Sequence, residues 1–169
     1  MKSAASSRRL TDTLQKTSED LLRYFLRRLD GEDAADALAD VMTTAWTRVN
    51  AMPAEPEQAR MWLFGIARNV LLHAQRGNIR RSKLADRMRI TLSLRAAPPA
   101  DAGSEIRDAI DRLDDDLAEL IRLIHWDGFS IVDAAALLEI PSSTARGRYQ
   151  RAKEALREAL SPAARVGTA

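Results

Sequence analysis

The amino-acid sequence predicts an all-α protein made of two small helical domains joined by a flexible linker. Apolar residues recur at three- and four-residue spacing along most of the 169-residue chain, which places them on one face of a helix. No segment alternates apolar and polar residues for long with the β-branched enrichment of a strand. Residues 93–104 carry Ala96-Ala97-Pro98-Pro99-Ala100 and then Gly103, a composition that resists helix formation. We therefore place the domain boundary in this stretch.

The linker divides the chain into five segments. We expect an N-terminal tail over residues 1–17, a first domain over 18–92, the linker over 93–104, a second domain over 105–161 and a C-terminal tail over 162–169. Each half of the chain holds roughly 80 residues, which is enough for a compact helical core with little stability to spare.

The first predicted helix covers residues 18–29. Ser18 is a suitable cap, and Gly31 follows the helix as its stop signal. The apolar stripe of this helix consists of Leu21, Leu22, Phe25, Leu26 and Leu29.

Two more helices complete the first domain, over residues 33–50 and 57–77, and the second of them continues into a basic tail. A loop with two prolines separates them. Trp46 and Trp62 lie on or beside the apolar stripes, so we interpret both first as core residues.

Four helices are predicted in the second domain, over residues 105–113, 115–126, 131–138 and 143–160. Asp127-Gly128 is a turn signal between the second and third of these. Ser130 stands three residues before Asp133 and forms a variant of the capping box at the start of the third helix.

Charge is almost balanced over the whole chain but unevenly distributed along it. The chain has 26 Lys and Arg against 24 Asp and Glu, a net charge of +2. Six basic residues lie within 76–89 and five within 146–157, while eight acidic residues lie within 101–119. Two separated basic clusters suggest two contacts with a polyanion. Each run taken alone is more typical of a solvated helix face.

Several classes of site and of localisation are not expected. The absence of cysteine excludes disulfides and thiolate metal sites. The two histidines, His73 and His125, fall in different predicted domains, and no glycine-rich phosphate loop is present. We therefore expect no enzyme activity, no metal and no cofactor. The sequence shows neither a signal peptide nor an apolar run of membrane-spanning length, which favours a cytoplasmic protein.

Residues 129–156 have the layout of a helix-turn-helix, in which the second helix begins with small hydroxyl residues and carries arginines. The spacing of a buried stripe is followed on this helix by Ala145, Tyr149, Ala152 and Leu156. At about 100° per residue, the opposite face holds Ser143, Gly147, Gln150 and Arg151, with Arg146 at the flank and Arg148 nearer the packed side.

Arg146, Gln150 and Arg151 are the predicted major-groove contacts, because Arg and Gln make bidentate hydrogen bonds with guanine and adenine edges. Hydroxyl residues at the start of the same helix suit a DNA phosphate. An ordinary amphipathic hairpin with a basic outer face is the alternative interpretation of this composition.

The helix-turn-helix segment resembles region 4 of the extracytoplasmic-function sigma factors, which are specificity subunits of bacterial RNA polymerase. The similarity lies in Gly128-Phe129-Ser130, Asp133-Ala134-Ala135, the run from Ile140 to Arg148, Arg151-Ala152 and Leu156-Arg157.

The N-terminal half resembles region 2 of the same family. The run from Asp36 to Met42 with Ala45-Trp46 is similar to region 2.2, and Trp62-Leu63-Phe64-Gly65-Ile66-Ala67-Arg68-Asn69 is similar to the family's Trp-Leu-x-x-Ile-Ala-x-Asn stretch. Region 3 of larger sigma factors is missing, as in the compact members.

The resemblance implies a sigma factor that binds core RNA polymerase and directs promoter-specific initiation in a stress or envelope-signal regulon. The implied contacts with the clamp helices of the largest polymerase subunit are Asp36, Asp40 and Thr43. The implied contacts with the minus-ten element are Asn69, Arg76, Arg80 and Arg81. The implied contacts with the minus-thirty-five element are Pro141, Ser143, Thr144, Arg146, Gly147, Gln150 and Arg151. An anti-sigma factor is a further partner that the family commonly uses.

The sequence departs from the family pattern at several positions, so base preferences cannot be carried over. The departures are Ala39, Gly65, Ser142-Ser143 and Asp114. Two other functions remain open. A stand-alone dimeric helix-turn-helix regulator would bind duplex operator without the polymerase, and an all-helical interaction adaptor would not affect DNA.

Overall fold

The computed structural model describes residues 4–88 and 102–161, and it describes their side chains except for 78–88 and 102. The chain divides into two compact units after Ser93. Unit 1 contains α1 (Ala4–Leu26), α2 (Gly31–Thr47), a 3-10 turn (Val49–Ala51) and α3 (Pro56–Met88). Unit 2 contains α4 (Ala102–Asp111), α5 (Asp115–His125), α6 (Ile131–Leu137) and α7 (Ser142–Leu160). All elements in the described part of the chain are helical, which confirms the predicted fold class.

Helix α1 contains most of the expected N-terminal tail, so the assignment of residues 1–17 to a tail is wrong from residue 4 onward. Ser18 consequently lies inside the helix instead of capping it. Leu10, Leu14 and Thr17 are buried and extend the apolar stripe by two turns. The buried polar Thr17 and the polar residues around it hid this continuation, although neither glycine nor proline occurs anywhere in α1 to stop the helix.

Unit 1 is built around three aromatic rings and the packing of α1 against both α2 and α3. The Tyr24 ring lies edge-on to Phe25 at 5.3 Å and to Phe64 at 5.5 Å between centroids, the arrangement that aromatic pairs prefer. All three residues are buried. Arg9 donates a 2.6 Å hydrogen bond to the carbonyl of Pro53, which ties the first half of α1 to the loop before α3.

Two large apolar side chains that were assigned to the core are exposed instead. Leu26 is 50% exposed and Trp46 is 36% exposed, while Trp62 is partly buried. Leu26 is the last residue of α1. Trp46 follows the buried Ala45, and one helical step of about 100° turns its indole away from the core.

Helix α3 is 33 residues long and passes the predicted end at residue 77. The basic tail expected beyond that point is therefore helical as far as Met88, and Arg80 and Arg81 lie within it. The rest of the basic tail, most of the linker over residues 93–104 and the C-terminal tail over 162–169 lie outside the described residues.

One buried cluster of unit 2 is shared by α4, α5 and α7. Its buried members are Ile110, Ala118, Ile121 and Ala152, and partly buried side chains packed against them are Leu113, Leu117, Trp126, Tyr149 and Leu156. Helix α4 begins at Ala102, so the last three residues of the expected linker are helical.

Both ends of α6 are defined by local hydrogen bonds. Ser130 is the N-cap, as predicted, and its hydroxyl oxygen accepts a 3.1 Å hydrogen bond from the backbone N–H of Asp133. At the other end, the N–H groups of Glu139 and Ile140 donate to carbonyls of the last turn, which is the Schellman pattern. Glu139 adopts φ +56° there, a left-handed conformation that usually selects glycine.

Leu10→Ala should lower the free energy of unfolding of unit 1 by about 2–5 kcal/mol, because it removes fully buried methyl groups. Gln15→Ala, at an exposed position of the same helix, is the matched control and should change it by less than about 0.5 kcal/mol. Urea denaturation followed by circular dichroism measures both. Equal stability of Leu10→Ala and wild type would show that α1 does not pack as described.

Glu139→Gly should raise the free energy of unfolding of unit 2 by about 1 kcal/mol, because glycine adopts positive φ without a Cβ penalty. Glu139→Ala keeps the Cβ and should give no such gain. Thermal unfolding of the three proteins distinguishes the cases. If alanine stabilises as much as glycine, the side chain and not the backbone conformation is responsible.

Candidate nucleic-acid interface

Helix α7 presents the face that the sequence predicted. Ala145 and Ala152 are completely buried, whereas Arg146, Gln150 and Arg151 are exposed. Gly147 is exposed on the same side, and nothing lies within 4 Å of the place where its Cβ would be. Arg146 and Arg151 form no ion pair with any side chain that the structure describes. Their guanidinium groups are thus available to an anionic ligand.

The start of α7 adds potential phosphate contacts to this face. Pro141 occupies the N-cap position, and no side chain caps the first turn. Ser143 and Thr144 are exposed beside it. Free backbone N–H groups and hydroxyls at a helix N-terminus are suited to a phosphate. Six of the seven residues assigned to the minus-thirty-five element therefore lie in the first turn or after it and are exposed, and the seventh, Pro141, precedes it.

Arg148 differs from the other arginines of α7, again as the helix geometry predicted. Its guanidinium group lies 2.9 Å from the carboxylate of Asp116 on α5 and is 23% exposed. It therefore belongs to the junction between α5 and α7 rather than to the free outer face.

In unit 1, Asp36, Asp40 and Thr43 line a groove between α2 and α3 with a volume of about 540 Å³. All three are exposed. The Thr43 hydroxyl donates a 3.0 Å hydrogen bond to the Ala39 carbonyl of its own helix. The carboxylates of Asp36 and Asp40 form no ion pair within the described set of side chains. The groove can therefore receive a cationic side chain from a partner.

The opposite wall of this groove was not assigned from the sequence. It is formed by Val70, His73, Ala74 and Gly77 of α3. The available signal was spacing: these residues recur at three- and four-residue intervals, which places them on one side of α3. A third carboxylate, that of Asp33, also lines the groove.

The residues assigned to the minus-ten element follow one another along α3. Asn69 and Arg76 are exposed. Arg80 and Arg81 lie further along the same helix, where the side chains are outside the described set. An exposed amide followed by basic residues along one helix is suited to binding a base and the backbone that follows it.

The described ranges contain neither a candidate metal cluster nor a candidate membrane span. No group of three or more His, Asp or Glu side chains there could hold a metal ion. No helix in those ranges combines the length and the apolarity that crossing a membrane requires.

Comparison with known sequences gives two similarities. The sequence model of the family "Sigma-70, region 4" matches residues 104–156, which include the whole helix-turn-helix. The chain is also 29% identical over 150 residues to the ECF RNA polymerase sigma factor SigL from strains of Mycobacterium tuberculosis. That match covers 83% of this chain and 82% of the relative, and so includes residues of both units.

Comparison with solved structures agrees with the sequence similarities. The sigma factor RpoE of Bartonella quintana, solved with the anti-sigma factor NepR, matches with a TM-score of 0.68 and 27% identity, over 90% of this chain and 96% of that one. CnrH, solved with the cytosolic domain of CnrY, matches with a TM-score of 0.64 and 22% identity, over 91% and 88% of the two chains, and supports the fold alone. In sequence and in fold the chain is similar to extracytoplasmic-function RNA polymerase sigma factors, and its residues 104–156 match the sigma-70 region 4 family.

Proposed function

We propose that this sigma factor binds core RNA polymerase through unit 1 and recognises the upstream promoter element through α7 of unit 2. The observation that carries the proposal is the outer face of α7, where Arg146, Gln150 and Arg151 are exposed while the opposite alanine stripe is buried. Arg and Gln on one face of a recognition helix can read base edges in the major groove.

Unit 1 is assigned two tasks. The carboxylates of Asp36 and Asp40 line the groove between α2 and α3 and would contact basic side chains of the clamp helices. Asn69, exposed on α3, would hold an unpaired base of the minus-ten element, with Arg76 and the arginines beyond it along the backbone. This division lets one small protein hold the polymerase and the melted strand at the same time.

The setting of the protein follows from this function. Sigma factors are initiation subunits and not enzymes, so we assign no reaction to the chain, and we place its work in the cytoplasm, where the polymerase is. RpoE and CnrH were each solved with a partner, named as an anti-sigma factor in the case of NepR. We include an anti-sigma factor among the expected partners of this chain. The stress or envelope-signal regulon stays a prediction.

Run-off transcription tests the proposal directly. Purified core polymerase is combined with the full chain on a library of promoter fragments, and the start sites are sequenced. We expect initiation at a defined subset of fragments only when the chain is present. Absence of core binding and initiation, together with tight binding to a duplex operator by the protein alone, would instead support a stand-alone dimeric regulator.

Arg151→Ala should reduce the preference of the holoenzyme for its upstream element by about 1–3 kcal/mol, because one bidentate base contact is lost. Binding to core polymerase should not change, since Arg151 lies in unit 2. Arg157→Ala removes an exposed arginine nearer the end of the same helix and serves as the matched control. Loss of core binding in a folded Arg151→Ala protein would contradict the assignment of the two units.

Asp36→Asn combined with Asp40→Asn should weaken core binding by about tenfold or more, because charge complementarity at this groove is removed. Asp30→Asn combined with Glu32→Gln removes the same charge from exposed positions at the start of α2 and is the control. Fluorescence anisotropy titration of labelled protein with core polymerase measures the affinities. Equal affinities for the two double variants would exclude the groove as the contact.

A further inference from the structure

The stripe of α7 that packs on the unit 2 core combines fully buried alanines with two larger, partly buried side chains, Tyr149 and Leu156. The two residues buried on α7 are Ala145 and Ala152, and their methyl groups let the helix approach its neighbours closely. A methyl group offers no long side chain that would lock into a specific gap. The rotation of α7 therefore depends on its larger side chains, in the stripe and on its flanks.

Two neighbouring residues of α7 supply directional contacts on these flanks. The guanidinium group of Arg148 lies 2.9 Å from the carboxylate of Asp116. The hydroxyl of Tyr149 lies 3.1 Å from Nε2 of His125, and the two rings are stacked with 5.8 Å between centroids and 20° between planes. Lys153 adds a cation 5.0 Å from the centre of the Tyr149 ring.

The two contacts reach opposite ends of α5. Asp116 lies in the first turn of α5, and His125 is its last residue. Nine residues separate them, which corresponds to about 13 Å along the helix axis at 1.5 Å per residue. Because Arg148 and Tyr149 are adjacent on α7, these contacts tie one turn of α7 to both ends of α5.

The outer face of α7 depends on this rotation. A rotation of about 20° moves an atom at the outer radius of a helix, about 6 Å from the axis, by about 2 Å. A base contact of 2.7–3.2 Å does not tolerate such a shift. Arg146, Gln150 and Arg151 therefore need α7 to be held in one orientation.

We propose that Asp116 with Arg148, and His125 with Tyr149, are positioning residues that set the rotation of α7 and thereby the base discrimination of the upstream-element reader. This inference rests on the proposed function of α7. It assigns a role to four residues that need not touch a base, two of which lie on α5.

Because the Asp116–Arg148 pair is exposed, its effect on the orientation of α7 can be measured separately from its effect on folding stability. Asp116 is 69% exposed and Arg148 is 23% exposed, and ion pairs in such surroundings contribute little to folding. Removal of the pair should therefore leave the protein folded and able to bind DNA, but with poorer choice among sequences. If the pair had a purely structural role, its removal would not lower sequence discrimination while leaving folding and DNA binding intact.

The test uses holoenzyme assembled from core polymerase and the full chain. A duplex library randomised across the upstream element is selected with wild-type holoenzyme, and the affinities of each variant for the selected duplex and for a scrambled duplex are then measured. The variant Asp116→Asn with Tyr149→Phe should lower the ratio of the two affinities by about tenfold, the scale of one lost base contact. Its affinity for the scrambled duplex should stay unchanged or rise, because a repelling carboxylate is gone and Arg148 is free to reach a phosphate.

Two controls complete the experiment. Asp115→Asn removes the same charge one residue away, at an exposed carboxylate without an ion pair within the described side chains, and should keep the wild-type ratio. Asp116→Glu preserves the charge and should keep most of the wild-type ratio of the two affinities. If the double variant keeps the wild-type ratio, or loses affinity for both duplexes equally, the positioning role is wrong while the proposed function stands. If wild-type holoenzyme enriches no sequence, the proposed function and the positioning role both fail.

Discussion

Each described helix of this chain can bury only one stripe of its surface, and the functional faces exist because the other side has to remain in solvent. Helix α7 shows this most clearly, since Ala145 and Ala152 are completely buried and the arginines and glutamine between them are not. The period of 3.6 residues per turn converts one linear sequence into a packed side and a reading side. The contacts proposed for DNA depend on that separation.

The helices of unit 1 also bury one stripe each, but with different side chains. The rings of Tyr24 and Phe64 join α1 to α3. An arginine guanidinium group lies over each ring, with Arg28 3.9 Å from the Tyr24 ring centre and Arg60 4.8 Å from the Phe64 ring centre. Helix α2 contributes mainly alanines to the core. Small residues allow close packing, and the carboxylates on the other side of α2 line the groove with α3.

Some acidic side chains of residues 101–119 form ion pairs within unit 2, and others are exposed to solvent. Arg122 lies 2.6 Å from Asp111 and 4.0 Å from Glu119, so it connects α5 to α4. Arg148 is held by Asp116 in a similar way. Arg122 and Arg148 therefore neutralise acids at helix junctions, while Arg146 and Arg151 extend from α7 without an ion pair among the described side chains. Net charge alone, at +2, does not reveal this division.

The sequence by itself determined the helical fold class, the helix-turn-helix with its Ser130 cap, and the side of α7 that faces solvent, because these depend on spacing and on hydrogen bonds between near neighbours. Only the tertiary structure decided the start of α1, the exposure of Trp46 and the wall that His73 adds to the α2–α3 groove. These features depend on which other helix lies opposite a given residue. Spacing along one helix specifies a face, but contacts between residues distant in sequence specify what covers it.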